Sequence, residues 1–231
     1  MITFFFTSLA INGLFAQDFV FSIKTDLNSD NQTEMIKLEK TGKQFGYKLT
    51  INNQETLGAF EMEETDGFKV IDIDTQDQYK EIAIHSSGPG DDMNDNFYFI
   101  YWYDGAAVFL IGQLNGSAIF NGNGIIYLDK WEGFWTSREK YVLDKNSRKI
   151  SFVRPFGYYV GVKGKVKTSF TIFQEQALKN KVAVLNVGSD IEILLCDKVE
   201  YRYLIKSQSG LLGWISNNDI SERIDGLPWA D

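Results

Sequence analysis

The chain has 231 residues, of which 44% are hydrophobic and 15% aromatic. This composition excludes an intrinsically disordered chain, because it provides enough apolar surface to form a core. The net charge of −8 comes from the first part: residues 1–150 hold 22 acidic and 13 basic side chains, and residues 151–231 hold 9 and 10. An acidic chain repels phosphate backbones, so we expect no nucleic acid partner.

The first 16 residues, MITFFFTSLAINGLFA, are apolar and uncharged and end in small residues before Gln17. This pattern predicts a secretory signal peptide that is cleaved after Ala16. We therefore expect an exported protein, in the periplasm, at the cell surface or secreted, with no stable membrane insertion after cleavage. The alternatives are a buried first strand or a membrane anchor, although 16 residues are fewer than the ~20 of a spanning helix.

Two segments resemble each other: FSIKTDLNSDNQTEMIKLEK at 21–40 and FKVIDIDTQDQYKEIAIHSS at 68–87. Each reads as a hydrophobic strand, an acidic loop and a strand that alternates apolar and polar residues. Two more strands follow each pair, and a fainter third copy begins at SAIFNGNGIIYL. Each unit is therefore predicted to be a four-stranded meander.

Four-stranded units of this length are typical of propeller blades, but propellers close with ~4–8 blades, and three units are too few. We predict an all-β fold in which propeller-blade-like meanders over residues 17–153 form an open stack or a sandwich, not a closed propeller. In the strand FYFIYWY, Phe97, Phe99, Tyr101 and Tyr103 share one face, and the other face is also bulky. The strand is predicted to lie between two sheets, with a carbohydrate-stacking platform as the alternative.

The candidate metal ligands lie in the two acidic loops. Alternate positions of a tight loop direct their oxygens toward one point, and Ca²⁺ prefers ~6–8 hard oxygen ligands. Carboxylates packed together without a cation would repel one another. We expect calcium in the first loop and leave the second open, because one residue is inserted between its second and third ligands. The predicted ligands are Asp26, Asn28, Asp30 and Glu34 in the first loop and Asp72, Asp74, Asp77 and Glu81 in the second.

The alternative to calcium is that Asp and Asn form Asx turns in these loops. The third unit has Asn121-Gly122-Asn123-Gly124 in place of an acidic loop, and we expect no metal there. An EF-hand is disfavoured because the flanking pattern has the period of strands. A calcium ion here would stiffen its loop, with the ~10⁻⁴–10⁻³ M affinity of extracellular modules.

These loops resemble the calcium loops of FG-GAP/VCBS-type propeller repeats. Residues 20–150 also resemble a family of exported bacterial VCBS-repeat proteins, above all in VIDIDTQDQYKEIAIHSSGPGDD. The chain departs from the stricter motif at Asn31, where a glycine is expected, and in the insertion of the second loop.

Residues 154–165 are rich in glycine, contain Pro155 and precede a change in charge balance, which predicts a linker. Residues 166–231 then consist of short strands between glycine turns, as in a small barrel. VLNVGSDIEIL, YRYLIKSQSGLLGWI and NNDI resemble a bacterial SH3 (SH3b) domain, most specifically at Gly213-Trp214-Ile215. That resemblance implies an SH3-like barrel.

The SH3b resemblance also implies a groove for cell-wall peptide or an envelope protein, lined by Tyr201, Tyr203 and Trp214. For Tyr203 and Trp214 the alternative is a place in the core, because a barrel this small needs its large side chains.

No catalytic residue is predicted. His85 is the only histidine and has no second base beside it in the sequence, and Cys196, the only cysteine, reads as a buried strand residue. We therefore expect a non-catalytic exported binding or scaffold protein, in which a calcium-stiffened β domain presents an SH3b module. The alternative is a carbohydrate-binding or weakly hydrolytic envelope protein that uses the aromatic strand and the acidic loops. The oligomeric state stays open.

Overall fold

Apolar residues at alternate positions give most of this chain its strands, because successive side chains of a strand point to opposite faces of the sheet. The computed structural model describes residues 18–88, 90 and 92–229, and the predicted signal peptide, residues 1–16, lies outside them. The described residues form antiparallel β-sheets with one short α-helix, so the predicted all-β class is confirmed. No helix in this described part is long and apolar enough to cross a membrane.

The N-terminal part contains three four-stranded antiparallel sheets, and in each the strands pair in chain order. The predicted meanders are confirmed, and the described strands do not close into a propeller. The first sheet contains β1 (Ser22–Thr25), β2 (Glu34–Lys40), β3 (Gly46–Ile51) and β4 (Gln54–Ala59). The second contains β5 (Gly67–Ile71), β6 (Glu81–Ser87), β7 (Asn96–Tyr103) and β8 (Val108–Asn115). The third contains β9 (Ser117–Phe120), β10 (Ile125–Trp131), β11 (Thr136–Asp144) and β12 (Lys149–Val153).

Strand β7 lies in the middle sheet and is covered on both faces. On one face Tyr101 and Tyr103, which are 3% and 5% exposed, pack in the core between the first and second sheets. On the other face Ile100 is fully buried in the core between the second and third sheets. The partly buried aromatics divide in the same way, with Phe97 and Phe99 in the first core and Tyr98 and Trp102 in the second. The aromatic side chains of β7 thus pack between sheets, as predicted.

The C-terminal part forms one seven-stranded antiparallel sheet with a short helix before its last strand. Its elements are β13 (Tyr158–Val166), β14 (Phe170–Phe173), β15 (Lys181–Leu185), β16 (Asp190–Asp197), β17 (Arg202–Ser207), β18 (Leu212–Ser216), α1 (Asn217–Arg223) and β19 (Ile224–Asp225). The strand order is β15-β14-β18-β17-β16-β13-β19, so β15 and β19 are the edges. The predicted SH3-like barrel is therefore wrong in one respect, because the described strands form an open sheet and do not close into a barrel. One face carries the core, in which Ile193, Ile205 and Ile215 are fully buried.

Most of the predicted linker is part of this sheet. Residues 158–165 lie in β13, which pairs with β16. Gly161 has a φ of +67° and lies where the register with β16 shifts between Tyr159 and Val162. Glycine is needed here for a β-bulge, so the glycines that predicted a linker mark a bent strand instead.

The hairpin between β10 and β11 joins the two parts of the chain. Its Phe134 and Trp135 are 1% and 3% exposed and lie in the core of the C-terminal sheet. A lysine of the C-terminal part also contacts this hairpin. The Nζ of Lys198, the residue after β16, lies 2.5 Å from Glu132 Oε1 and 2.9 Å from Glu139 Oε1. The N-terminal and C-terminal parts therefore share a core and an ion-pair cluster.

Candidate cation-binding loops

The two acidic loops occupy equivalent places, each between the first and second strands of its sheet. Residues 26–33 connect β1 to β2, and residues 72–80 connect β5 to β6. Residues 121–124 make the corresponding connection between β9 and β10.

The same pair of hydrogen bonds joins each of these loops to the next. Lys80 N donates to Leu27 O at 2.8 Å, and Ser29 Oγ donates to Gln78 O at 2.8 Å. The corresponding bonds one unit later run from Gly124 N to Ile73 O at 2.7 Å and from Thr75 Oγ1 to Gly122 O at 2.9 Å. The three loops therefore form a continuous strip along one end of the stacked sheets.

The first loop is held closed by its own carboxylates. Asp26 accepts hydrogen bonds from the backbone N–H groups of Asn31 at 2.9 Å and Asn28 at 3.2 Å. Asp30 Oδ1 accepts one from Gln32 N at 2.7 Å. Desolvation acts to raise the pKa of Asp26, but the hydrogen bonds from Asn31 and Asn28 hold this pKa below its ordinary value. The loop therefore has the Asx-turn geometry that was the alternative to calcium.

The last carboxylate of each loop has the same structural role. Glu34 Oε2 accepts a hydrogen bond from Leu27 N at 2.8 Å, and Glu81 Oε2 accepts one from Ile73 N at 3.1 Å. Both glutamates are buried, at 3% and 1% exposure. In each glutamate this hydrogen bond uses only one of the two carboxylate oxygens.

Two basic side chains from the β11–β12 turn of the third sheet enter the second loop. Arg148 Nη1 lies 2.6 Å from Asp77 Oδ2, and its Nη2 lies 2.8 Å from Glu81 Oε1. Lys145 Nζ lies 2.5 Å from Asp74 Oδ2. The hydrogen bond from Lys145 holds the pKa of Asp74 below its ordinary value, while burial raises the pKa of Glu81 to about 7. The structure thus supplies this loop with two positive charges from the protein.

The first loop differs in its charged neighbours. Among the described residues, no basic side chain forms an ion pair with Asp26, Asp30 or Glu34. The turn that lies against this loop, between β7 and β8, reads Asp104-Gly105-Ala106-Ala107. A Cβ atom on Gly105 would lie 3.2 Å from Asn28 Nδ2, which shows how closely the turn approaches.

The donor set of the first loop suits a calcium ion. Asp26, Asn28, Asp30 and Glu34 offer carboxylate and amide oxygens, the hard ligands that Ca²⁺ takes in proteins. Within the described ranges, no three acidic, histidine or cysteine side chains already converge as a metal cluster. The chemistry of the first loop fits the ion, whereas Lys145 and Arg148 already balance the second.

The three predicted ligand-binding residues of the C-terminal part do not come together. Tyr203 is 2% exposed and packs 5.8 Å, ring to ring, from Phe134, so it lies in the core, which was the alternative to a place in a groove. Its position on β17 points to the same face as the buried Ile205, because alternate strand residues share a face. Tyr201 is 42% exposed in the preceding turn, and Trp214 lies partly buried on the opposite, outer face.

Trp214 belongs to an apolar row that crosses the outer face of the C-terminal sheet. In the strand pairing, Trp214 stands opposite both Phe173 and Leu204, Leu204 opposite Leu195, and Leu195 opposite Tyr159. Tyr159 is 75% exposed, and the other four are partly buried. We call these five residues the outer row. It crosses five strands and lies on the side away from the core.

His85 is placed as a structural residue. Its Nε2 lies 2.9 Å from Asn96 Oδ1, and its Nδ1 lies 2.9 Å from Asp66 Oδ2. The ring stacks on Phe19 at 4.4 Å and is 5% exposed. Each ring nitrogen therefore lies close to a side-chain oxygen of another residue.

Comparison of the chain with protein-family models, with curated proteins and with solved structures found no match. The acidic loops, the basic turn and the outer row are therefore interpreted from their own chemistry.

The sequence predictions missed Lys145 and Arg148. Arg148 is 71 residues from Asp77 along the chain, so only the stacking of the sheets brings the two together. A signal was present in the turn Lys145-Asn146-Ser147-Arg148, which is basic where the preceding unit has Asp104-Gly105-Ala106-Ala107.

Proposed function

We propose that the chain is a non-catalytic binding scaffold of the bacterial cell envelope, exported and stiffened by calcium. In this proposal a calcium ion occupies the first acidic loop and holds one end of the stacked sheets. The C-terminal sheet then presents its outer row to cell-wall peptide or to an envelope protein. The resemblance of both parts to exported bacterial repeat and SH3b proteins points in the same direction.

The observation that carries the proposal is the unbalanced charge of the first loop. Asp26, Asp30 and Glu34 have no basic partner among the described side chains, although Glu34 is buried. Buried carboxylates are normally paired or coordinate a metal, because an isolated charge in low dielectric is costly. A divalent cation held by Asp26, Asn28, Asp30 and Glu34 would supply the missing positive charge and rigidify the β1–β2 connection.

The binding part of the proposal rests on the outer row. Aromatic residues are enriched where proteins bind partners, and here Trp214 and Tyr159 stand at the surface of a sheet whose core lies on its other face. The buried Tyr203 has no part in this surface. The aromatic residues of β7 pack between sheets, so no specific observation favours the carbohydrate-platform alternative.

A sedimentation assay on insoluble peptidoglycan, with an insoluble polysaccharide in parallel, tests the binding proposal. We expect the full chain to bind peptidoglycan and the Trp214→Ala, Tyr159→Ala double variant to lose most of that binding. The control is Leu57→Ala, which removes an exposed apolar side chain from the first sheet, where Leu57 is 72% exposed. Retention on polysaccharide that survives the double variant would overturn the proposal in favour of the carbohydrate-binding alternative.

The calcium proposal is tested by the melting temperature in CaCl₂ and in EDTA. We expect calcium to raise it in the wild type and not in Asp26→Asn, Asp30→Asn, because these changes remove two charges and leave each side chain one oxygen that can still accept a backbone hydrogen bond of the turn. Asp92→Asn is the matched control, since Asp92 caps a turn in the same way by accepting from Asn94 N. An equal calcium response in the double variant would refute the first-loop assignment.

A further inference from the structure

The second acidic loop carries its cation within the protein itself. We infer that Arg148, assisted by Lys145, takes the place of a divalent ion there, so that the wild type binds no metal at this loop. The same inference predicts that the loop becomes a divalent-cation site when these two basic side chains are removed. This inference rests on the proposed function and deepens it, because it assigns the calcium ion to the first loop alone.

Arg148 bridges the two parts of the loop that a metal would have to connect. Its guanidinium contacts Asp77 at 2.6 Å and Glu81 at 2.8 Å, and Glu81 in turn accepts from Ile73 N at the start of the loop. The arginine side chain is only 11% exposed. A two-pronged guanidinium is suited to this task because its donors can reach two carboxylates at once.

Two aromatic rings fix the guanidinium in this position. Its central carbon lies 4.9 Å from the ring centroid of Tyr79 and 4.8 Å from that of Trp102. Tyr79 belongs to the loop and Trp102 to β7, so the cation is held by side chains on both sides. These contacts make a built pocket for one positive charge, not a surface ion pair.

Three buried polar atoms at the pocket have no hydrogen-bond partner among the described residues: Asp72 Oδ1, Trp102 Nε1 and Arg148 Nε. Asp72 is the first predicted ligand of the loop, and the negative charges of Asp77 and Asp74 act on it. Arg148 and Lys145 thus pair with three of the four acidic residues, and neither forms a described ion pair with Asp72.

The first loop provides the internal comparison. The turn that faces it, Asp104-Gly105-Ala106-Ala107, has no basic side chain, whereas the turn that faces the second loop carries Lys145 and Arg148. Both turns lie against an acidic loop of the preceding sheet, as Gly105 beside Asn28 and Lys145 beside Asp74 show. The structure therefore distinguishes one loop without a described basic partner from one that has two.

The test uses the full chain with the first loop disabled by Asp26→Asn, Asp30→Asn. In that background we expect no calcium response, and we expect Arg148→Gln with Lys145→Gln to restore one, with a midpoint of about 10⁻⁴–10⁻³ M. Lys149→Gln is the control, because it removes an exposed charge from the same hairpin. A second readout is terbium luminescence excited through Trp102, which should appear only in the variant that lacks both basic side chains.

Three results would overturn the inference. The first is a calcium response in the disabled background that still has Arg148 and Lys145. The second is the absence of both calcium response and terbium luminescence after their removal. The third is an Arg148→Gln, Lys145→Gln variant that stays unfolded both in EDTA and in CaCl₂. The inference predicts that calcium restores its fold, because a divalent ion should replace the two lost positive charges. A wild type without any calcium response, beside a responsive Arg148→Gln, Lys145→Gln variant, would refute the proposed first-loop site and leave this inference standing.

Discussion

Glu34 and Glu81 occupy the same place in successive sheets, and each accepts a hydrogen bond from the backbone N–H that follows the first aspartate of its loop. Their surroundings then differ, because Arg148 pairs with Glu81 and no described basic side chain pairs with Glu34. One carboxylate therefore closes each loop, and among the described residues only that of Glu81 has a basic partner.

Replacing Glu34 separates these two roles. In EDTA, Glu34→Ala should lower the free energy of unfolding by about 1–3 kcal/mol, because the N–H of Leu27 loses its buried acceptor. Glu34→Gln should cost less, since its amide oxygen can still accept that hydrogen bond. Urea unfolding measures both values, and equal losses for the two variants would contradict the assigned hydrogen bond.

His85 gives the protein a defined pH dependence. Burial lowers the pKa of His85 below the ordinary 6.5, and the positive charge of Lys69 lowers it further. The contacts with Asn96 and Asp66 act to raise this pKa but do not outweigh burial. The unfolded chain therefore takes up the proton more readily, so the free energy of unfolding should fall as the pH drops below about 6.5. Urea unfolding at pH 7 and pH 5 should show a smaller fall for His85→Gln than for the wild type. An identical pH dependence in the two proteins would be inconsistent with a neutral, buried His85.

The sequence was sufficient to nominate the acidic ligands, because Asp, Asn and Glu in a short loop are chemically distinctive. It was not sufficient to place Arg148 in the second loop, because that contact depends on how two sheets stack. For Tyr203 the resemblance implied a groove and the small size of the domain favoured the core, and its place on the same face as Ile205 agrees with the core.

At the scale of elements, strand β7 illustrates what periodicity predicts well. Bulky residues on both faces predicted a strand between two sheets, and Ile100 and Tyr101 indeed enter different cores. The segment before residue 166 shows the opposite case. Gly161 suggested a linker, but a bulged strand uses the same residue type, and only the pairing of β13 with β16 distinguishes the two.

Packing between β3 and β4 requires a glycine at position 58. A Cβ atom on Gly58 would lie 2.3 Å from the ring of Tyr47, which is fully buried and whose hydroxyl lies 2.9 Å from that of Tyr101. Gly58→Ala should therefore destabilise the protein by about 1–3 kcal/mol through overpacking. Gly42→Ala is the matched control, because nothing lies within 4 Å of the added atom. Equal urea midpoints for the two variants would refute the contact.

At the scale of the whole molecule, the hairpin that carries Phe134 and Trp135 joins the stacked sheets to the C-terminal sheet. Lys198 adds contacts to Glu132 and Glu139 across the same boundary. A sequence pattern cannot predict this union, since the hairpin reads as part of the third meander and its partners lie in another sheet.

This shared core predicts that the two parts unfold together. Scanning calorimetry should show one transition whose calorimetric and van't Hoff enthalpies agree, as expected for a cooperative unit. Two resolved transitions, or a C-terminal sheet that melts alone, would contradict the shared core.

The central claim is that this protein needs one external divalent ion, at the first loop, because Arg148 and Lys145 serve the second. A calcium-binding isotherm, measured at protein concentrations near the dissociation constant, tests it most directly. We predict one ion per chain for the wild type, none for Asp26→Asn, Asp30→Asn, and two for Arg148→Gln, Lys145→Gln. A wild type that binds two ions, or one that binds none, would contradict the claim.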